Sequence, residues 1–161
     1  MVNQEHLDIL KQGVEIWNQW RQEQQDVIPD LSHADLRRAR LGIADLDHAD
    51  LSGASLILAH LDHADLSEAN LSGADLRGAD LRFAKLNRAK LSYADLRFAK
   101  LYGTRLISAD LSEAKLAGAE LAGAKLSYAH LKGAIGITIE ELEKKAKSLQ
   151  DATMPDGSKH S

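Results

Sequence analysis

Leucine stands at every fifth residue from Leu31 to Leu131 without interruption. Alanine holds the place two residues earlier, from Ala34 to Ala134, with Pro29 and Thr104 as the only substitutes. The unit is A-x-L-x-x, most often A-D-L-x-x, and polar or charged residues fill most of the other positions. A period of five fits neither regular element. On an α-helix successive leucines turn by roughly 500° and scatter around the axis, leaving no apolar stripe. On a straight strand the odd spacing throws alternate leucines to opposite faces. The pattern therefore predicts a chain that turns by the same angle at each repeat. Every Leu and its companion Ala then face one axis, and successive coils stack through parallel β-type hydrogen bonds.

Both ends of such a tube expose Leu and unpaired backbone, so the flanking segments are expected to be caps. Between residues 4 and 25, Leu7, Leu10, Val14 and Trp17 recur at helical spacing with Ile16 and Trp20 beside them. This predicts an N-terminal capping helix within residues 1–28, ended by Pro29. After the repeats, Thr138 to Glu141 spell a capping box that opens a helix with Ile139, Leu142, Ala146 and Leu149 on one stripe. The expected division is a cap over 1–28, repeats over 29–135, a capping helix over 136–152 and a flexible tail over 153–161. Trp17, Trp20, Thr138, Glu141 and Leu142 are the residues expected to build the covers.

The runs A-D-L-S-G-A-S-L and S-E-A-N-L-S-G-A-D-L-R-G-A-D-L, and their neighbours from about residue 29 to 135, resemble the pentapeptide repeat family, in particular cyanobacterial-type members with helical caps. The resemblance implies an all-β solenoid, a right-handed quadrilateral parallel β-helix with four pentapeptides per coil and α-helical caps. Twenty residues per coil give about five coils and roughly 25 Å of tube. Leu31, Leu51, Leu71, Leu91, Leu111 and Leu131 then form one inner column. Each buried Leu contributes about 1.5–3 kcal/mol before conformational entropy is subtracted.

Composition narrows the chemistry. There is no Cys, which excludes disulfides, thiolate metal sites and Cys nucleophiles and fits a reducing compartment. The N-terminal MVNQEHLDILKQ is too polar for a secretory signal and no run reaches membrane-spanning length, so a soluble cytoplasmic protein is expected. A filled tube offers no pocket for catalysis or a cofactor. The serine column Ser32, Ser52, Ser72, Ser92 and Ser112 recurs without a general base and reads as a hydrated ladder. His48 and His63, fifteen residues apart, fall on different faces of a four-sided coil, and with His60 nearby they read as surface residues; no metal site is expected.

Function is therefore expected on the outside. Aromatic residues are only 4% of the chain, yet Phe83 and Tyr102 fall on one face in adjacent coils, with Arg82 beside Tyr102 and Phe98 at the neighbouring corner. Ile57 and Leu58 on the adjoining face extend this candidate interaction surface. The acid–base columns Asp35, Asp75, Asp95 and Arg37, Arg77, Arg97 read as solvated pairs.

From Asp30 to Asn70 there are eight acids and three bases, whereas from Leu71 to Ile135 there are six acids and eleven bases. The expected role is a non-enzymatic scaffold for an unidentified protein partner, with no membrane contact; a monomer and a weak dimer both stay open. The alternative is the family's mimicry of duplex DNA, binding and inhibiting a type II topoisomerase such as gyrase. A mimic needs negative charge along its whole length, and the basic C-terminal half disfavours it. A third reading is nucleic-acid binding through Arg82, Lys85, Arg88, Lys90, Arg97, Lys100 and Arg105.

Overall fold

The computed structural model describes residues 1–161. From Asp30 onward the chain winds with a strict period: Asp30 bridges Asp50, Asp50 bridges Asn70 and Asn70 bridges Lys90, all in parallel, and the same holds for the columns that start at Asp35, Arg40 and Asp45. Four columns offset by five residues define a four-sided coil of twenty residues. Each side is too short to be a strand. One residue per side makes the ladder, as in Leu51 N–H to Asn70 O at 2.7 Å and Asn70 N–H to Ala49 O at 2.9 Å.

The corners explain why five residues suffice per side. The residue after each Leu begins a turn closed by a bond from the next Ala N–H back to the Leu carbonyl, for example Ala54 to Leu51 at 3.0 Å. The second residue after Leu has a positive φ throughout, 56–62° where it is not glycine. An i to i+3 bond with φ positive at the third residue is the signature of a type II turn. Aspartate before the Leu supports that turn. Its Oδ1 accepts the backbone N–H two residues on, at 2.9 Å from Ser52 to Asp50 and 3.2 Å from Arg82 to Asp80. This is the Asx-turn geometry that favours Asp at this place.

The interior is one apolar stack in which nearly every repeat Leu and Ala is fully buried, including Leu31, Leu51, Leu71, Leu91, Leu111 and Leu131. Thr104 takes an alanine place, and its hydroxyl donates to the Leu81 carbonyl at 2.8 Å, so the one hydroxyl lining the interior is satisfied.

The N-terminal cap differs from the single helix that the spacing predicts. It is two helices, α1 (Gln4–Lys11) and α2 (Val14–Glu23), broken at Gly13 with φ 115°. Side chains stand in for the missing preceding coil. Trp17 Nε1 donates to the Asp45 carbonyl at 2.7 Å, Arg21 Nη2 to the Asp47 carbonyl at 3.2 Å, and Asn18 Oδ1 accepts the Asp45 N–H at 2.8 Å. His6 Nδ1 accepts the Asp30 N–H at 3.0 Å. Trp17 is fully buried and packs on Trp20, ring centroids 5.0 Å apart.

The C-terminal segment corrects two expectations. The helix over 136–152 shrinks to α3 (Ile139–Lys145), opened by the Thr138–Glu141 capping box and seated on the core by Leu142. The tail over 153–161 is not loose: Lys125 bridges Ser148, His130 bridges Thr153, and Thr153 pairs in antiparallel fashion with Lys159. The spacing has changed from twenty to twenty-three residues. Leu149, Ala152 and Met154 thereby occupy the inward places after Leu126, Ala129 and Leu131, and all three are buried. A partial sixth coil resumes after α3 as a repeat displaced by three residues.

Candidate interaction surface

With the interior filled, chemistry is confined to the outward positions. The six residues expected to form one surface separate into two clusters on neighbouring corners. Ile57, Leu58 and Phe98 line a shallow notch with Arg77 and Gly78. Leu58 leans over Gly78, where an added Cβ would stand 2.8 Å from its methyl group, so the absence of a side chain there lets Leu58 lie flat. Phe98 stands at the same corner one coil further and is 68% exposed, a large apolar group that water covers poorly.

Phe83 and Tyr102 meet on the next corner edge to face, ring centroids 5.3 Å apart at 86°. A third ring joins them: His63, twenty residues before Phe83 and so one coil earlier on the same corner, stacks on it at 5.1 Å and 18°. Arg82 is engaged rather than free, its Nε and Nη2 donating to the two oxygens of Asp80 at 2.8 and 2.6 Å. The same fork joins Arg77 to Asp75, Arg97 to Asp95 and Arg37 to Asp35. The hydrogen bond from each arginine holds its aspartate below the usual carboxylate range, Asp35 at about 2. These acid–base columns therefore rigidify corners as well as cover them.

The lengthwise charge difference is concentrated on one side of the tube. Along the column Asp45, Asp65, Lys85, Arg105, Lys125, successive coils pass from acid to base. Flanking positions follow: Asp47, Asp62 and Glu68 accompany the acidic end, and Arg82 and Arg88 begin the basic one. Between them His48 bonds Asp47 at 2.9 Å and Glu68 at 3.1 Å. The Asp47 bond, with help from Glu68, raises its pKa above the ordinary 6.5.

Beyond the acidic stretch, Lys85, Arg105, Lys125 and Lys147 line a groove of about 570 Å³ with His63, Phe83 and Tyr102. Lys125 and Lys147 escaped the sequence reading. The step of twenty from Lys85 and Arg105 points to Lys125, but Lys147 lies beyond the three-residue shift. His60, Asp62 and Asp80 bring one ligand atom each within 4.8 Å of one another. Both Asp80 oxygens are already taken by Arg82, which sets a cation where a metal would compete. No helix is long and apolar enough to cross a membrane.

The family model described as pentapeptide repeats matches residues 44–82, 69–106 and 104–135. Among solved structures, the chain is similar to the pentapeptide repeat protein Rfr23 from the cyanobacterium Cyanothece 51142, with 27% identity, a TM-score of 0.56 and coverage of 83% of this chain and 97% of that one. It is also similar to alr5209, a pentapeptide repeat protein from Nostoc PCC 7120, with 36% identity, a TM-score of 0.56 and coverage of 68% and 85%. HetL of Nostoc sp. PCC 7120, a pentapeptide repeat protein involved in heterocyst differentiation regulation, shares 37% identity over 83% of this chain and 65% of its own, with a TM-score of 0.31. No curated protein matches the chain.

Proposed function

Because the chain belongs to the pentapeptide repeat family and folds as its right-handed quadrilateral β-helix, we propose that it is a non-enzymatic scaffold that binds a protein partner through its outer corners. The observation that carries this reading is the contrast between a filled interior and large apolar side chains held outside. Leu and Ala fill the axis, while Leu58 and Phe98 stand 46% and 68% exposed on one corner with Ile57 beside them. Apolar and aromatic anchors on a stiff frame lose little further freedom on binding, which favours affinity from a small contact. No reaction and no cofactor form part of the proposal, and a chain without Cys is compatible with a reducing compartment such as the cytoplasm.

DNA mimicry is not adopted. The column that is acidic at Asp45 and Asp65 turns basic at Lys85, Arg105 and Lys125, and a groove shaped for phosphates would repel that half.

The test is quantitative capture from a lysate of the native host, comparing the wild type with Leu58→Asp, Phe98→Ala and Tyr102→Ala. A partner retained by the wild type and lost from the Leu58 or Phe98 variant supports the corner as the docking surface. Undiminished retention by all three variants removes it.

A further inference from the structure

We propose that the basic groove is a binding site for a nucleotide unit, with its phosphates on the cation ladder and its base against the aromatic corner. Lys85, Arg105 and Lys125 occupy the same place in three successive coils, so the three cations fall within roughly 10 Å along the tube. Lys147 joins them from the resumed coil, where its backbone N–H bonds the Ala124 carbonyl at 2.8 Å. Of these four, Lys85 has a carboxylate partner, Asp65 at 3.1 Å; Arg105, Lys125 and Lys147 have none. No acid lines the groove. Stacked like charges without a counter-charge repel, and a bound polyanion relieves that repulsion.

The rest of the groove fits the other half of a nucleotide. Gly103 and Gly123 leave the corner bare beyond Phe83, so the backbone floor is open. A Cβ on Gly103 would come within 2.7 Å of the Phe83 ring, so glycine there is what lets the ring lie down along the groove. Phe83 and Tyr102, fixed edge to face, are each about half exposed and stand at the N-terminal end of the cations. Base stacking on an exposed ring is tolerant of base identity, and the planar guanidinium of Arg105 suits two phosphate oxygens at once. A chain of carboxylates would satisfy the ladder but leave the rings unused, which is why a nucleotide is favoured over an acidic peptide.

Isothermal titration of the full chain at low salt tests this with ATP, inorganic triphosphate, adenosine, a single-stranded dT oligonucleotide and poly-glutamate. ATP is expected to bind more tightly than triphosphate by several-fold and adenosine to bind weakly. The double substitution Arg105→Ala with Lys125→Ala should weaken ATP by tenfold or more, while Lys90→Ala with Lys115→Ala, on other sides of the tube, should leave it unchanged. Phe83→Ala should erase the advantage of ATP over triphosphate. Oligonucleotide binding tighter than ATP assigns the unit to single-stranded nucleic acid, and the reverse assigns it to a free nucleotide. The proposal is overturned by no binding of ATP or oligonucleotide at millimolar concentration, by ATP binding that the ladder substitutions do not change, or by poly-glutamate binding equal to ATP that Phe83→Ala leaves intact. Circular dichroism of each variant confirms that the outward substitutions leave the fold in place.

Discussion

The aspartate before each leucine does more than solvate the surface. Asp80 accepts the Arg82 backbone N–H at 3.2 Å and both guanidinium donors, with its side chain 11% exposed. Replacing Asp80 with Ala removes the acceptor and costs about 1 kcal/mol, whereas Asp80→Asn keeps an oxygen at the turn and costs less; urea denaturation measures the difference. At His48 the sign of the pH effect follows from its partners. Its pKa is raised above 6.5, so the stabilisation is fully present below that value and is lost as pH rises through the folded pKa. A proton NMR titration should give His48 a pKa above 6.5, and Glu68→Gln should lower it.

At the scale of elements, the repeat was legible because one residue type recurs at one spacing, and period five is incompatible with helix and straight strand alike. The four-sided coil was legible through family resemblance, and the twenty-residue bridges now give it directly. The N-terminal break was not legible, because Leu7, Leu10, Val14 and Trp17 keep helical spacing across Gly13, and a glycine inside a periodic run is an ambiguous signal. The resumed coil was hidden for a different reason. Leu149, Ala152 and Met154 obey the inward pattern but sit three residues out of register, and Met replaces Leu. That segment covers Leu126 and Leu131: Leu126 N–H bonds the Ser148 carbonyl at 2.9 Å and Leu131 N–H the Thr153 carbonyl at 2.7 Å. Deleting residues 146–161 should therefore expose a Leu-lined sheet end and drive association, visible as a shift to larger species in size-exclusion chromatography with light scattering. An elution unchanged from that of the intact chain would show that the segment is not a cover.

For the whole molecule, side chains of the interior touch only their own and adjacent coils, so stability passes from neighbour to neighbour along the tube. The outer surface was only partly legible. Steps of twenty place Phe83 beside Tyr102 and Phe98 on the neighbouring corner, but the lean of Leu58, Phe83 and Phe98 over Gly78, Gly103 and Gly118 needs coordinates. Charge was legible as a difference between halves and became a single acid-to-base column only once the sides were known. Both proposals depend on one claim: the tube is continuous, dry and rigid from the first coil to the resumed sixth, leaving its outside as the only place for recognition. Backbone hydrogen exchange read by mass spectrometry tests it most directly. Slow exchange is expected at the inward leucines whose N–H groups bond the next coil, from Leu51 to Leu116 and at Leu126 and Leu131, and again at Thr153 and Met154 in the resumed coil; rapid exchange within the central coils, or at Thr153 and Met154, would contradict it.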